Sequence, residues 1–358
     1  MERILIGKTG LEVNRLGFGG IPIQRVDEDK AVETVRHALK KGVDFIDTAR
    51  GYTTSERRIG IALRETDRKV VIATKSHNRT SDGIRADVEL SLKELQRDYI
   101  DLYQCHFVRN EQDYLQIISP GGALEGLKKS KEEGLIGHIG LSSHSLDLLD
   151  RVIEDGLFES IMLCFSFLEP AAREKIIPKA IRKDIGVIAM KPFSGGVIEN
   201  PKLALKYVLS CPGIVVIPGV EQKSLIDENW EVFQGKYELD TTEEREIEEI
   251  RLRYNKAFCR RCDYCQPCSE DIPIQIVLGI RSFVKRLGKD ALKRDMLSSA
   301  CEKARRCSEC GECMTRCPYK LPIPDLMKDN LRWVDEQLAS LDWAIPSCKD
   351  SPCSKPKT

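Results

Sequence analysis

Four side chains that could carry acid–base chemistry follow the predicted ends of three consecutive strands. An apolar strand ends at Asp47, and Tyr52 lies five residues further on, in a turn that contains glycine. The next predicted strand is followed by Lys75, and the one after it by His106. Parallel α/β barrels build their active sites at the carboxyl ends of their strands. The spacing therefore predicts that these four side chains share one pocket.

Each of these residues, taken alone, also has an ordinary structural explanation. An aspartate that ends a strand is commonly a helix cap, and a single lysine or histidine is commonly solvated or hydrogen-bonded in a core. Their order along consecutive strands favours catalysis over these explanations. Side chains alternate along a strand, so Cys105 is predicted to face the helices if His106 faces the pocket.

The surrounding sequence alternates between short apolar strands and amphipathic helices. Eight strands, each followed by a helix, are the pattern of a (β/α)8 barrel. The strands are predicted near 16–20, 43–47, 70–74, 99–105, 136–141, 161–165, 186–190 and 213–217. The helices are predicted near 29–41, 55–64, 82–97, 121–133, 145–155, 171–183, 200–210 and 222–232.

Four further local features are predicted around this alternation. A hairpin over 4–13 is expected to close the bottom of the barrel, and 107–120 is expected to be a short connection. Thr54 or Ser55 is expected to cap the helix after Tyr52. The run Thr241-Thr242-Glu243-Glu244 predicts a capping box that opens a charged helix ending near Tyr254.

The residues around the four side chains carry a family pattern. The segment FIDTARGYTTSE, followed by ATK and LYQCH, resembles the aldo-keto reductases over roughly the first 255 residues. The resemblance implies hydride transfer between a nicotinamide and a small carbonyl or alcohol substrate. It makes Tyr52 the general acid, Lys75 and Asp47 the pair that tunes its pKa, and His106 the donor that orients the carbonyl. A nearby ammonium should lower the phenol pKa from about 10.

The cofactor site is expected at the other strand ends, because no G-x-G-x-x-G follows the first strand. The resemblance implies that NADP(H) or NAD(H) is held by Gly20, Ser142, Ser143, Met190, Lys191, Pro192, Phe193, Gly195, Gly219, Glu221, Gln222, Glu228 and Asn229. Three positions depart from the family: Ser143 replaces an asparagine, Met190 an aromatic residue and Met162 a glutamine. The pairs Gly195-Gly196 and Pro218-Gly219 are also explained by ordinary turns. Glu221, with only Lys223 near it in sequence, favours NADH over NADPH.

Cysteine is concentrated near the end of the chain. Eleven of the fourteen cysteines lie between Cys259 and Cys353. The residues Cys307, Cys310, Cys313 and Cys317, with a proline after the last, have the spacing of the bacterial ferredoxin run, C-x2-C-x2-C-x3-C-P. An earlier run has an irregular spacing and Ser269 in place of that proline; it consists of Cys259, Cys262, Cys265 and Cys268.

The two runs resemble the α-helical ferredoxin module of iron–sulfur dehydrogenase subunits. In that logic the fourth cysteine of each run binds the cluster of the other run, so two [4Fe–4S] clusters are expected. Cys317 joins the first three cysteines of the earlier run, and Cys268 joins those of the later one. Two helices, 276–287 and 289–305, are predicted between the runs. Structural zinc is the alternative, and Cys301 is a spare ligand.

The predicted organisation is therefore an α/β barrel over 1–255, an appended all-α ferredoxin-like domain over 256–335 and a tail over 336–358. Lys plus Arg and Asp plus Glu both number 56, which disfavours nucleic-acid and anionic-membrane binding. No secretory signal or membrane span is visible, so a cytoplasmic location is expected.

Clusters move single electrons, whereas nicotinamide moves two as hydride, so an electron-transfer partner protein is one expectation. The rival interpretations are a nicotinamide-binding redox sensor and an electron-transfer subunit of a larger complex.

Overall fold

The computed structural model describes residues 2–198 and 200–343. The chain divides into two compact units, Met1–Asn255 and Lys256–Thr358.

The first unit is a parallel barrel. Its strands pair in sequence order, and Gly17 N and Gly19 N close the ring by donating to Val216 O and Pro218 O, each at 2.9 Å. The strands are the hairpin pair β1 (Arg3–Leu5) and β2 (Glu12–Asn14), then β3 (Phe18–Gly19), β4 (Phe45–Asp47), β5 (Val71–Ser76), β6 (Ile100–Cys105), β7 (Ile136–Ser142), β8 (Ser160–Cys164), β9 (Gly186–Met190) and β10 (Ile214–Ile217). The predicted (β/α)8 barrel is confirmed.

Helices cover the outside of this barrel. They are α1 (Glu28–Lys41), α2 (Ser55–Leu63), α3 (Ser81–Leu95), α4 (Glu111–Ile118), α5 (Ala123–Glu132), α6 (Leu146–Asp155), α7 (Ile176–Arg182), α8 (Pro201–Leu209), α9 (Lys223–Gln234) and α10 (Thr241–Tyr254). Helix α1 shows how they form. The Asp27 side chain accepts from Lys30 N at 2.8 Å to start it, and Gly42 ends it with a φ of 116°.

The barrel interior is apolar at one end and open at the other. Phe45, Leu102 and Ile188 form part of a buried core that also contains Ile6 and Val13 of the β1–β2 hairpin. The hairpin lies at the amino end of the strands, where Lys8 N donates to Asp184 O at 2.8 Å. Only the carboxyl ends of the strands, called the mouth below, remain for a site.

Local details of this unit differ from the sequence predictions. The short connection 107–120 contains helix α4, which was not predicted and whose first turn is capped by the Asn110 side chain accepting from Asp113 N at 2.9 Å. Helix α10 is capped by Asp240, one residue before the predicted box, because Asp240 and Glu243 exchange the two capping bonds. Thr54 stands at the predicted N-cap position of α2, but its side chain makes no capping bond, and the Ser55 hydroxyl donates to Gly20 O at 2.9 Å.

The second unit is helical. It contains α11 (Ile274–Leu278), α12 (Ile280–Leu287), α13 (Asp295–Ala304), α14 (Glu312–Arg316) and α15 (Ile323–Trp343), with a 3-10 turn at Lys289–Lys293. The two predicted helices between the cysteine runs are thus broken into shorter pieces. Val277, Leu297 and Ile323 belong to their common core.

The last helix corrects the predicted domain end. Helix α15 continues through residue 336, where a tail is predicted, up to Trp343. Residues 344–358, with Cys348 and Cys353, lie outside the described residues. In the part of the chain that the structure describes, no helix combines the length and apolarity needed to cross a membrane.

Candidate active site

An ion pair lies at the base of the mouth. Asp47 ends β4 and Lys75 lies on the adjacent β5, and both are buried. Lys75 Nζ donates to Asp47 Oδ1 at 2.6 Å and to Thr48 O at 2.7 Å. Burial lowers the pKa of Lys75, but the Asp47 and Tyr52 side chains outweigh it, and the net shift is upward. The lysine is therefore an ammonium at neutral pH.

Tyr52 reaches the same point from the loop after β4. Lys75 Nζ lies 4.9 Å from the Tyr52 ring centroid, so its charge acts on the phenol. Burial raises the pKa of Tyr52, and the Lys75 charge lowers it by less, so the net shift is upward. Lys75 lowers the pKa of Tyr52, as predicted, but burial raises it by more. The phenol keeps its proton at neutral pH.

His106 completes the group. It follows β6 directly, and its backbone N donates to Ser76 O at 2.8 Å. Its ring meets the Tyr52 ring edge-on, with centroids 5.7 Å apart. Burial lowers the pKa of His106 far below its ordinary value, and the cations of Lys75 and other neighbours lower it further. His106 is thus a neutral hydrogen-bonding group, and the structure brings all four predicted residues together.

Gln104 is a site residue that sequence reasoning missed. It is fully buried, pairs with Lys75 in the β5–β6 register, and its Nε2 donates to Asp47 Oδ2 at 3.5 Å. Its side chain is packed closely, since a Cβ at Gly140 would lie 3.0 Å from Gln104 Cγ. The signal that could have identified it is parity, because Gln104 lies two residues before His106 on the inward face of β6.

Two residues after β5 support the corner that carries His106. The His77 ring stacks on the His106 ring, with centroids 4.0 Å apart and planes 22° apart. The Arg79 Nη2 donates to the backbone oxygens of His106 and Phe107 at 2.9 and 3.1 Å. These bonds hold a strained turn, because Phe107 has a φ of 48°. No local spacing indicates either contact.

The predicted carboxamide contacts are engaged within the protein. The Ser142 hydroxyl accepts from Phe107 N at 2.8 Å, and the Ser143 hydroxyl donates to Val108 O at 2.7 Å. Both serines are buried at the end of β7. In this structure they fix the β6–α4 connection. Met162, in the position of the family glutamine, is part of the barrel core.

The predicted segment after β9 reaches the mouth. Met190 ends β9, half-buried against the barrel core, and Lys191 Nζ lies 2.9 Å from His144 Nε2. Lys191 and Gly195 have positive φ values of 57° and 72°, so the chain turns sharply there. Pro192 is buried and Phe193 is partly buried.

The remaining predicted cofactor residues lie beside β3, β10 and α9. Gly20 is explained by packing alone, since a Cβ there would lie 2.8 Å from Asp47 O. Gly219 pairs with Gly19 in the closing bridge of the barrel. Gln222 and Glu228 are exposed, and Asn229 is buried.

Glu221 has a partner that the sequence did not indicate. Arg25, from the loop after β3, places a guanidinium nitrogen 3.6 Å from Glu221 Oε2. Arg25 Nε and Glu221 Oε2 are both buried and make no hydrogen bond in this structure. A cation therefore stands beside the carboxylate on which the expectation of NADH rests.

In the second unit the cysteines surround two hollows. One is lined by Cys259, Cys262, Cys265 and Cys317, together with Arg260, Tyr264 and Tyr319. The other is lined by Cys268, Cys307, Cys310 and Cys313, and also by Cys265, which lines both hollows. The fourth cysteine of each run thus lies with the first three of the other run. Cys301 is buried in the core and lines neither hollow.

The cysteine thiols in each hollow lie close enough to raise one another's pKa. Burial raises the pKa of Cys262 to about 11, and its neighbours Cys259 and Cys317 add to the shift. Burial and the nearby Cys307, Cys310 and Cys268 raise the pKa of Cys313. Among the described residues, no three histidine, cysteine or acidic side chains are gathered closely enough to hold a single metal ion.

A parallel barrel with a buried Asp–Lys pair, a tyrosine and a neutral histidine at its mouth defines a barrel oxidoreductase. The model of the Aldo/keto reductase family matches residues 15–202, more than half of the chain. The chain belongs to the aldo/keto reductase family and is an NAD(P)-dependent oxidoreductase.

Similar proteins agree with this assignment. L-galactose dehydrogenase of Arabidopsis thaliana is 31% identical over 220 residues, covering 56% of this chain and 68% of the relative. The NADH-specific methylglyoxal reductase of Escherichia coli is 28% identical over 230 residues, covering 56% and 70%. The aldo-keto reductase AKR11C1 of Bacillus halodurans, at 24% identity, has the same fold with a TM-score of 0.61, covering 70% of this chain and 96% of that structure.

Proposed function

We propose that the barrel interconverts a small aldehyde or ketone and the corresponding alcohol with NAD(P)H. The observation that carries this proposal is the contact of a protonated Tyr52 with the ion pair of Lys75 and Asp47 beside a neutral His106. A group that must give up a proton lies next to a cation that stabilises the resulting phenolate. The names of the two curated relatives, a methylglyoxal reductase and a sugar dehydrogenase, support the substrate class.

Each residue has its own role in the proposed reaction. The nicotinamide, when bound, supplies hydride to the carbonyl carbon. His106 donates a hydrogen bond to the carbonyl oxygen and positions it. Tyr52 gives its proton to that oxygen, and Lys75 stabilises the phenolate that remains. Asp47 holds the ammonium in place. In the direction of alcohol oxidation the same groups take the proton back.

We place the dinucleotide at the mouth in this proposal. Arg25 Nε and Glu221 Oε2 are a buried donor and acceptor without hydrogen bonds, as expected where a polar ligand binds. Lys191 adds a cation on the neighbouring strand end. We propose that these residues and the Gly195 turn hold the cofactor. Sequence spacing did not reveal Arg25, whose guanidinium is a cation available to NADPH. The choice between NADH and NADPH therefore depends on Arg25 and Glu221 together, not on Glu221 alone.

Replacing Tyr52 by phenylalanine tests the catalytic proposal. Loss of the proton donor should lower kcat for aldehyde reduction by about a hundredfold to ten-thousandfold. The Kd of the nicotinamide, measured by fluorescence titration, should stay the same. Tyr99→Phe is the matched control, because Tyr99 is exposed at the amino end of β6. Full activity in Tyr52→Phe would refute the assignment, and cofactor binding without turnover of any carbonyl would favour a redox sensor.

We propose further that the second unit holds two [4Fe–4S] clusters. The grouping of four cysteines around one hollow and five around the other supports this, as does the match of the later run to the ferredoxin spacing. A hollow between sulfurs suits a multi-atom cluster better than a single zinc ion, which needs four ligands at about 2.3 Å. Clusters would supply one-electron transfer, so we propose an electron-transfer partner protein for this unit.

Metal analysis of protein purified without oxygen tests the clusters. About eight irons and as much acid-labile sulfide per chain are expected, with EPR signals after dithionite reduction. About four irons would leave one set without a cluster. Zinc without sulfide would refute the proposal and give this unit a purely structural role.

A further inference from the structure

The mouth contains an imidazole that the proton-transfer scheme does not use. His77 lies two residues beyond Lys75, exposed, with its ring stacked on His106. Its Cδ2 and Nε2 edge faces Gly51, where a Cβ would lie at 3.5 and 3.6 Å from those atoms. Gly51 immediately precedes Tyr52 in the chain. His77 therefore borders the space beside the two groups that hold the carbonyl oxygen.

Charge determines which hydrogen bonds His77 can make. Partial burial lowers the pKa of His77, and the cations of Arg79, Lys75 and Arg109 lower it further, so the ring is neutral at pH 7. A neutral imidazole has one N–H donor and one acceptor nitrogen. The backbone of His106 opposes this shift without cancelling it. The neutral ring therefore keeps one nitrogen that can accept a hydrogen bond.

We propose that His77 accepts a hydrogen bond from a hydroxyl group on the carbon next to the substrate carbonyl, so that 2-hydroxy aldehydes and 2-hydroxy ketones are the preferred substrates. This inference rests on the carbonyl reduction proposed above. A hydroxyl is a donor and matches the acceptor nitrogen, whereas carboxylate and phosphate oxygens only accept. The carbonyl and hydroxyl oxygens of such a substrate lie on neighbouring carbons. The donor His106 and the acceptor His77 are also neighbours, because their rings are stacked.

Paired substrates test the proposal. The ratio of kcat/KM for glycolaldehyde to that for acetaldehyde is measured in the full-length protein and in variants. His77→Phe keeps an aromatic ring over His106 and removes the acceptor, so the ratio should fall about fivefold to tenfold, as for the loss of one neutral hydrogen bond. His77→Asn restores an acceptor and should recover part of the ratio. His37→Phe is the control, because His37 lies on the outer helix α1 and pairs with Asp227.

A binding measurement separates this inference from the catalytic proposal. Long-range ¹H–¹⁵N NMR of the histidine rings should show one proton on His77 at pH 7 and a shift of its acceptor nitrogen with ethylene glycol but not with ethanol. A doubly protonated ring, equal shifts, or an unchanged substrate ratio in His77→Phe would overturn the inference. Absence of turnover of either aldehyde would refute the carbonyl reduction, while the NMR result would still decide the role of His77.

Discussion

A carboxylate buried as deeply as Asp47 stays ionised only if its oxygens are well paired. Burial raises its pKa, and Lys75 and Gln104 reduce that rise without cancelling it, by contacting one oxygen each. Burying a charge without such contacts costs several kcal/mol. Gln104 therefore acts through Asp47 as a positioning residue for the proton donor.

Gln104→Met should displace the acid limb of the pH–kcat profile. The substitution keeps the side-chain length and removes the amide, so the pKa of Asp47 rises and the ion pair is lost at a higher pH as the solution is acidified. Because about 1 kcal/mol of hydrogen bonding is removed, kcat at neutral pH should fall roughly fivefold. The acid limb should move to higher pH, with the Kd of the cofactor unchanged.

Ser160→Ala is the matched control for this profile. Ser160 is buried on β8 near Gly140, and its hydroxyl makes no hydrogen bond in this structure. The pH profile of this variant should match that of the unmodified protein. An unchanged acid limb in Gln104→Met would show that Lys75 alone keeps Asp47 charged.

At the scale of elements, the start of α10 depends on one side chain outside the helix. Asp240 accepts from Thr242 N and Glu243 N at 2.8 and 2.9 Å, and the Glu243 carboxylate accepts from Asp240 N at 2.9 Å. Asp240→Ala should reduce the free energy of unfolding by about 1 kcal/mol, measured by urea denaturation. Thr241→Ala, at the first helical residue, should cost less. A larger loss for Thr241→Ala would favour the cap predicted from sequence.

Elements with strong periodicity were predictable, and weakly patterned ones were not. The barrel strands are short apolar runs followed by amphipathic helices, so their order could be read directly. Helix α4 was missed because it is only eight residues long and buries only Tyr114 and Ile117. The end of α15 was missed because residues 336–341 are exposed or only partly buried. A sequence pattern reveals a helix through its buried apolar face, and α4 and the end of α15 bury few side chains.

Contacts between distant segments limited the prediction of the site. The four residues at the mouth were predictable because strand ends converge in a barrel. The pairing of Arg25 with Glu221 joins the first and last strands, and the stacking of His77 on His106 joins two loops. Neither contact follows from spacing, because both join side chains of segments that are separate in the sequence.

At the scale of the whole molecule, the grouping of cysteines across the two runs makes a sharp prediction. If each proposed cluster uses cysteines from both runs, Cys268→Ser and Cys317→Ser should each remove about half of the iron from anaerobically purified protein. Cys301→Ser is the control, since Cys301 is buried in the helical core away from both hollows. Iron analysis checks the outcome. Full iron content in Cys268→Ser would refute the crossed assignment.

The same grouping governs how the second unit is made on the ribosome. The proposed set of the earlier run lacks its fourth cysteine until Cys317 has been synthesised, and that of the later run gains its last cysteine at Cys313, four residues before. A nascent chain that carries only the earlier run therefore holds neither proposed set in full. Under the proposed assignment, the two cysteine sets are completed within four residues of each other as the chain is made, so the two clusters would be inserted at the same stage.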